Sequence, residues 1–134
     1  MKKILCSLLL VGFAYSNSTG NDFLQKYPFG KTEDEILQSD IETIISIKYL
    51  TLIAGVRAGN IITMQLLKRN REYTQLSESV EDFYDLEKRT CGMTNDQLAR
   101  IVKKWCDDNP SETQHPFTRI VYWALMSLPL RDCE

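Results

Sequence analysis

From Cys91 to Cys133 the sequence reads CGMTNDQLARIVKKWCDDNPSETQHPFTRIVYWALMSLPLRDC, and this stretch holds the clearest helical patterns. Thr94 is followed three residues later by Gln97, a capping box that marks a helix N-terminus. The apolar residues beyond it fall on one helix face: Leu98, Ile101, Val102 and Trp105. After a polar turn around Pro110, a second apolar face follows: Phe117, Ile120, Val121, Ala124, Leu125 and Leu128. The short turn predicts that these two helices are antiparallel neighbours.

The cysteine spacing predicts one disulfide within this stretch. A helix from Thr94 to Cys106 is about 18 Å long, and a disulfide needs Cα atoms within about 7 Å. Cys91 therefore cannot reach Cys106, whereas an antiparallel last helix returns Cys133 to the neighbourhood of Cys91. The predicted bond is Cys91–Cys133, which stabilises the fold by roughly 4 kcal/mol in the chain-entropy model.

Cys106 has no partner in this scheme. We interpret it as a buried small hydrophobic residue, and the alternatives are a bond to a second chain or a catalytic thiol. Catalysis would need a base, and the one histidine, His115, lies across the turn from Cys106. Because no further residue orients this pair, we expect no catalytic site, although an enzyme that uses Cys106 and His115 remains an alternative. We also expect no metal site and no cofactor.

Upstream, Thr32 and Glu35 form another capping box before a long segment without proline. Its apolar residues again recur at helical spacing: Leu37, Ile41, Ile44, Ile45, Leu52 and Ile53. Since one helix of this length is unusual, the sequence predicts a bend or break near Gly55 and Gly59. Their small-xxx-small spacing also lets a second helix approach closely, within the domain or in a homodimer. The fold class predicted is all-α, with about four helices.

The N-terminus has the three-part form of a secretory signal. Two lysines follow Met1, residues 4–15 are largely apolar, and small residues precede a cut after Ser16. The apolar run is too short to span a bilayer, so we expect a periplasmic protein with no membrane segment after signal removal. The predicted organisation is a signal peptide over residues 1–16, a polar lead-in over 17–31 and one helical domain over 32–134.

Composition narrows the classes of partner. The chain carries 16 Lys and Arg against 18 Asp and Glu, a formal net charge of −2. This balance argues against binding to nucleic acid, which requires many positive charges facing phosphates. With 43% hydrophobic residues, the chain is also too apolar for a disordered protein.

The order of Cys91, a capped helix, Asn109-Pro110, a second helix and Cys133 resembles the Rap/Tai family of periplasmic immunity proteins. These neutralise amidase effectors delivered by type VI secretion. The segment Leu52-Ile53-Ala54-Gly55-Val56 is similar to the family's Ile-Ala-Gly-Val segment, and the resemblance covers residues 41–133. Members often carry a cysteine just before that segment, where this chain has Tyr49. The resemblance implies a small all-α protein, often dimeric, that plugs an amidase's substrate groove and needs no cofactor.

For the contact surface, residue types favour residues 70–87, where tyrosines lie among acids. Tyrosine can anchor in a groove, and acids can steer the protein toward a basic rim. The predicted contact residues are Tyr73, Glu81, Asp82, Tyr84 and Asp85. The simpler interpretation of the same acids is a solvated helix face.

Another class of function fits the same features. A periplasmic acid-stress chaperone is also small, helical and disulfide-linked, and it would expose apolar surface as acid neutralises its carboxylates.

Overall fold

Six α-helices form over residues 18–69 and 84–133, the parts of the chain that the computed structural model describes. They are α1 (Gly20–Lys26), α2 (Glu33–Leu37), α3 (Asp40–Arg69), α4 (Leu86–Thr90), α5 (Asn95–Asp108) and α6 (Phe117–Met126). A short 3-10 helix, Pro110–Glu112, lies between α5 and α6. The all-α prediction is confirmed.

Threonine caps determine where three of the helices begin: Thr19, Thr32 and Thr94. At α5 the Thr94 hydroxyl accepts the Gln97 N–H at 3.2 Å, and the Gln97 side chain accepts the Thr94 N–H at 2.9 Å. Each box therefore satisfies two backbone donors that a helix start leaves without a partner. The sequence identified the boxes at Thr32 and Thr94.

The predicted bend or break near Gly55 and Gly59 is wrong as to a break, because α3 is one continuous helix from Asp40 to Arg69. Glycine weakens a helix interior by only about 1 kcal/mol relative to alanine, and core contacts of α3 outweigh that cost. The interruption lies instead at Gln38 and Ser39, between α2 and α3. There the Ser39 hydroxyl accepts the Glu42 N–H at 3.4 Å, so a new helix begins after α2 ends.

The centre of the core is aromatic and joins three helices. Phe23 of α1, Tyr49 of α3 and Phe117 of α6 are each fully buried, and their ring centroids lie 4.7–5.1 Å apart. Tilted and edge-on contacts at this distance add to the free energy of burial. The side of α3 that carries Tyr49 therefore packs against α1 and α6.

Helix α1 lies within residues 17–31, which the sequence indicated as a polar lead-in without a helix of its own. The segment is tied to the start of α6, since the Phe117 N–H donates to the Ser18 carbonyl at 2.7 Å. Gly20 is required at this junction, because a Cβ there would lie 2.5 Å from Ile120 Cδ1 and 2.9 Å from the Thr113 carbonyl oxygen. The lead-in is thus an integral part of the core.

Helices α5 and α6 form the predicted antiparallel hairpin, and a disulfide closes its open end. The Cα atoms of Cys91 and Cys133 lie 6.0 Å apart and their sulfurs are bonded. The backbone beside this bond is also paired, because the Arg131 N–H donates to the Lys88 carbonyl at 2.9 Å. The predicted pairing of the cysteines is confirmed.

Candidate functional site

The structure describes two of the five predicted contact residues. Tyr73, Glu81 and Asp82 lie outside the described residues. Tyr84 is 46% exposed, as a contact residue should be, whereas Asp85 is only 2% exposed.

Asp85 has a structural role in the described part of the chain. Its carboxylate caps α4 by accepting the Glu87 N–H at 3.0 Å, and it pairs with the Lys68 ammonium of α3 at 2.7 Å. Asn60 of α3 supports the same corner, accepting the Leu86 N–H at 2.9 Å and donating to the Tyr84 carbonyl at 3.0 Å. Asp85 therefore holds α4 against α3, and contact with a partner would require breaking these bonds.

A set of aromatic and cationic side chains lies at the turn end of the hairpin, the end opposite the disulfide. The indole rings of Trp105 and Trp123 lie 5.9 Å apart, and the Arg119 guanidinium lies 5.7 Å from the Trp123 ring. The His115 ring meets Trp123 edge-on at 5.4 Å. Arg119 is exposed and the other three are partly buried. We call these four residues the tryptophan cluster.

The turn that supports the cluster is fixed by hydrogen bonds. Both the backbone and side-chain nitrogens of Asn109 donate to the Trp105 carbonyl, at 2.9 and 2.8 Å. The Thr113 hydroxyl donates to the Pro110 carbonyl at 2.8 Å, and the Thr113 carbonyl accepts the Asn21 N–H at 2.9 Å. Because the cluster is already ordered, less conformational entropy would be lost when it binds a partner.

Tryptophan and arginine are the residue types that most often dominate the binding energy of protein interfaces. Helical spacing assigned Trp105 to the apolar stripe of α5, and this assignment did not predict that Trp105 is partly exposed. The signal that could have indicated the cluster is the position of Trp105, His115 and Arg119 around one short turn, with Trp123 two turns into the next helix.

Cys106 is buried, as predicted, with 1% of its surface exposed. Burial raises the pKa of its thiol to about 11, and the neighbouring Asp107 carboxylate acts in the same direction. At neutral pH the thiol therefore stays protonated, whereas the thiolate is the nucleophilic form. His115 is occupied elsewhere, since its Nε2 lies 3.2 Å from the Glu112 carboxylate.

The outward side of α3 carries large apolar side chains in water: Ile41 is 71% exposed, Ile44 65%, Ile47 56% and Ile62 57%. Within the described chain, α3 is the helix long and apolar enough to cross a membrane by length and composition. Exposed isoleucines in such number are typical of an interaction surface.

A cleft of about 500 Å³ lies between α2 and α3, with Ile36, Leu37 and Leu50 among its lining residues. The basic side chains at its rim are paired, Lys31 with Glu42 and Arg100 with Asp96. Over residues 18–69 and 84–133, no group of three or more His, Cys, Asp or Glu side chains could hold a metal ion.

Comparison with protein-family models, curated proteins and solved structures finds no match to this chain. The surfaces described above are therefore interpreted from their own geometry.

Proposed function

We propose that this protein is a periplasmic immunity protein that binds and blocks a peptidoglycan amidase effector of type VI secretion. The observation that supports binding most directly is the tryptophan cluster, a partly exposed and ordered group at the turn end of the α5–α6 hairpin. The choice of an amidase as the partner rests on the resemblance of the Cys91–Cys133 layout to Rap/Tai immunity proteins.

Inhibition of this kind requires shape and charge complementarity, with no chemical step. The hairpin turn is held by the hydrogen bonds of Asn109 and Thr113, so the cluster beside it can bind a groove with little rearrangement. Trp105 and Trp123 supply apolar area to the groove walls. Arg119 supplies donors for carbonyl or carboxylate oxygens near the catalytic centre.

Tyr84 offers a second anchor, next to α6. It lies near Tyr122, whose pKa is raised first by burial and then by the proximity of Tyr84. A contact surface that included both the tryptophan cluster and Tyr84 would contain one residue of the predicted contact segment, residues 70–87. Asp85 would keep its structural role and would not contact the partner.

The test measures binding and inhibition together. The oxidised protein is titrated calorimetrically with purified type VI amidase effectors, and peptidoglycan cleavage is followed in the same mixtures. We expect one effector to form a stoichiometric complex and to lose its cleavage activity. Arg119→Ala should weaken that complex at least tenfold, since a hot-spot side chain contributes about 2 kcal/mol or more.

Arg100→Ala is the matched control, because Arg100 is also an arginine of the hairpin and its side chain is 75% exposed. This variant should bind within about twofold of the unmodified protein. Equal binding by both variants would place the contact surface away from the tryptophan cluster. No complex with any amidase would contradict the proposed function, and protection of other proteins from aggregation at low pH would then favour the chaperone.

A further inference from the structure

We infer that the cleft between α2 and α3 binds a small, uncharged and largely apolar molecule that carries one hydroxyl or carbonyl group. The cleft has a volume of about 500 Å³, which is within the usual range for sites that hold small molecules. None of the four residues of the tryptophan cluster lines it. The inference is therefore independent of the proposed contact with an amidase.

The walls of the cleft are apolar and leave a space that the described chain does not fill. The apolar side chains among the lining residues are Tyr27, Ile36, Leu37, Ile47 and Leu50. No residue of α2 is buried, and Leu37 is 59% and Ile47 56% exposed. An apolar molecule in the cleft would remove part of this surface from water, and the free energy gained is roughly proportional to the apolar area covered.

Ser46 gives the cleft a polar group that lacks a partner. It is among the lining residues and is only 7% exposed, and its hydroxyl oxygen has no hydrogen-bond partner within the described chain. A buried hydroxyl without a partner is unfavourable, because it has lost its hydrogen bonds to water. A hydroxyl or carbonyl oxygen of a bound molecule would accept a hydrogen bond from Ser46 and remove this cost.

Other hydroxyl groups of α3 show that the Ser46 hydroxyl is an exception. A serine or threonine within a helix can donate to the carbonyl four residues earlier, and Thr63 does so, donating to the Gly59 carbonyl at 2.8 Å. Thr43 also lines the cleft, one turn before Ser46, and its hydroxyl donates to the Ile36 carbonyl at 3.0 Å. Ser46 makes neither kind of bond, so its hydroxyl is the group that a ligand can use.

The walls of the cleft are held in place without a ligand. The bond from Thr43 to the Ile36 carbonyl joins α3 to α2, and the Lys31 ammonium before α2 pairs with the Glu42 carboxylate of α3. A site whose walls are already ordered loses less conformational entropy when a ligand binds.

The charges at the rim favour an uncharged ligand. The lining residues include two basic and two acidic side chains: Lys31, Arg100, Glu33 and Asp96. Lys31 is paired with Glu42, and the Arg100 guanidinium lies 2.8 Å from the Asp96 carboxylate. A ligand carboxylate would have to compete with these carboxylates and lose its own hydration, whereas an uncharged molecule would do neither.

The test uses three probes that share an ethylbenzene frame: para-ethylphenol carries a hydroxyl, ethylbenzene carries no polar group, and para-ethylbenzoate is charged. Each probe is titrated into the oxidised protein without any amidase, and the backbone amides are followed by nuclear magnetic resonance. We expect para-ethylphenol and ethylbenzene to shift the amides of α2 and of the facing part of α3 in a saturable way. The dissociation constant of para-ethylbenzoate should be at least tenfold higher than that of para-ethylphenol, because its charge would lose hydration.

Ser46→Ala tests the hydrogen bond within the cleft. This variant should weaken the binding of para-ethylphenol about threefold to tenfold, the range that one hydrogen bond supplies, and leave that of ethylbenzene within about twofold. Thr51→Ala is the matched control, since Thr51 is an exposed hydroxyl residue of α3 that does not line the cleft. It should leave the binding of both probes within about twofold.

Four results would overturn the inference. One is the absence of saturable shifts at the cleft with both uncharged probes. Another is equal weakening of both probes by Ser46→Ala, which would give Ser46 a purely structural role. Tighter binding of para-ethylbenzoate would reassign the cleft to an anion. Cleft amides that shift with protein concentration, before any probe is added, would show that a second copy of the chain occupies the cleft.

Discussion

The α5–α6 hairpin and α3 both carry strong apolar patterns, yet the fold uses them differently. Helix α6 buries five of its ten residues, and the disulfide closes the hairpin covalently. Helix α3 buries four of its thirty residues, so most of its apolar side chains remain in contact with water. The pattern of the hairpin is therefore explained by the fold of one chain, whereas the exposed isoleucines of α3 are typical of a surface that binds a partner.

The difference shows that one periodic signal has two possible causes. A stripe of apolar residues at helical spacing records burial, but it does not record whether the burial occurs within a chain or between chains. In this protein the exposed fractions distinguish the two helices, since Ile120 is fully buried within the chain and Ile44 is 65% exposed.

Loss of the disulfide should have the largest effect, and it tests the covalent closure of the hairpin. The double variant Cys91→Ser/Cys133→Ser should lower the free energy of unfolding by about 4 kcal/mol, because the unfolded chain regains the entropy of an open loop. Urea denaturation monitored by circular dichroism measures this loss. A reducing agent should destabilise the unmodified protein equally and leave the double variant unaffected.

Cys106→Ala provides the control for the cysteine variants, since Cys106 is free and buried. The Cys106→Ala protein should keep its sensitivity to reduction. If the double variant were as stable as the unmodified protein, backbone pairs such as Arg131 with Lys88 would be sufficient to close the hairpin.

A matched pair of isoleucines tests the two sides of α3. Ile53→Ala should lower the free energy of unfolding by about 3 kcal/mol, because Ile53 is fully buried and truncation leaves a cavity. Ile62→Ala on the same helix should cost less than about 0.5 kcal/mol in dilute protein, since Ile62 is 57% exposed. Urea denaturation at a low protein concentration separates these values from any contribution of a dimer.

A similar loss for both isoleucine variants would contradict this account of α3. It would mean that Ile62 is buried within the single chain in solution. If the outward side of α3 binds a second copy, the destabilisation by Ile62→Ala should increase at high protein concentration, because association stabilises the folded state.

The hairpin was predictable from sequence because its signals are local. Three local signals were sufficient to define two antiparallel helices and to pair Cys91 with Cys133: the capping box at Thr94, the turn at Pro110 and the known length of a helix per residue. The burial of Cys106 followed from the same scheme.

The remainder depended on tertiary contacts that a sequence pattern does not contain. The continuity of α3 through Gly55 and the helix around Phe23 both result from packing against other elements. Asp85 was predicted on the surface because acids usually are, but its bonds to α4 and Lys68 bury it. Helical spacing likewise did not show that Trp105 is partly exposed and meets Trp123.

The smallest effect concerns α1, which is attached to the hairpin without a covalent bond. The pKa of Asp22 is lowered first by the backbone N–H of Thr19 and then by Lys26, so the capping box prefers the charged carboxylate. The folded pKa lies below the unfolded value near 4, so this stability is present above about pH 4 and is lost as the pH falls through the folded pKa. Because the Asp22 side chain is 34% exposed, solvent screening keeps the contribution to a few tenths of a kcal/mol, on the order of 0.5 or less.

Hydrogen exchange of the α1 amides at pH 5 and pH 3 measures this effect where it occurs. After correction for the intrinsic exchange rates, the protection of α1 in the unmodified protein should be lower at pH 3 than at pH 5. In Asp22→Asn the protection of α1 should differ less between the two pH values. Asp34→Asn in the first turn of α2 is the control and should leave the response of α1 unchanged. If Asp22→Asn lost as much protection in acid as the unmodified protein, the acid sensitivity of α1 would have to come from its contacts with the turn at Thr113. A loss confined to α1, with the hairpin amides still protected, would show that the covalently closed hairpin stays folded in acid while the edge held by a cap opens first.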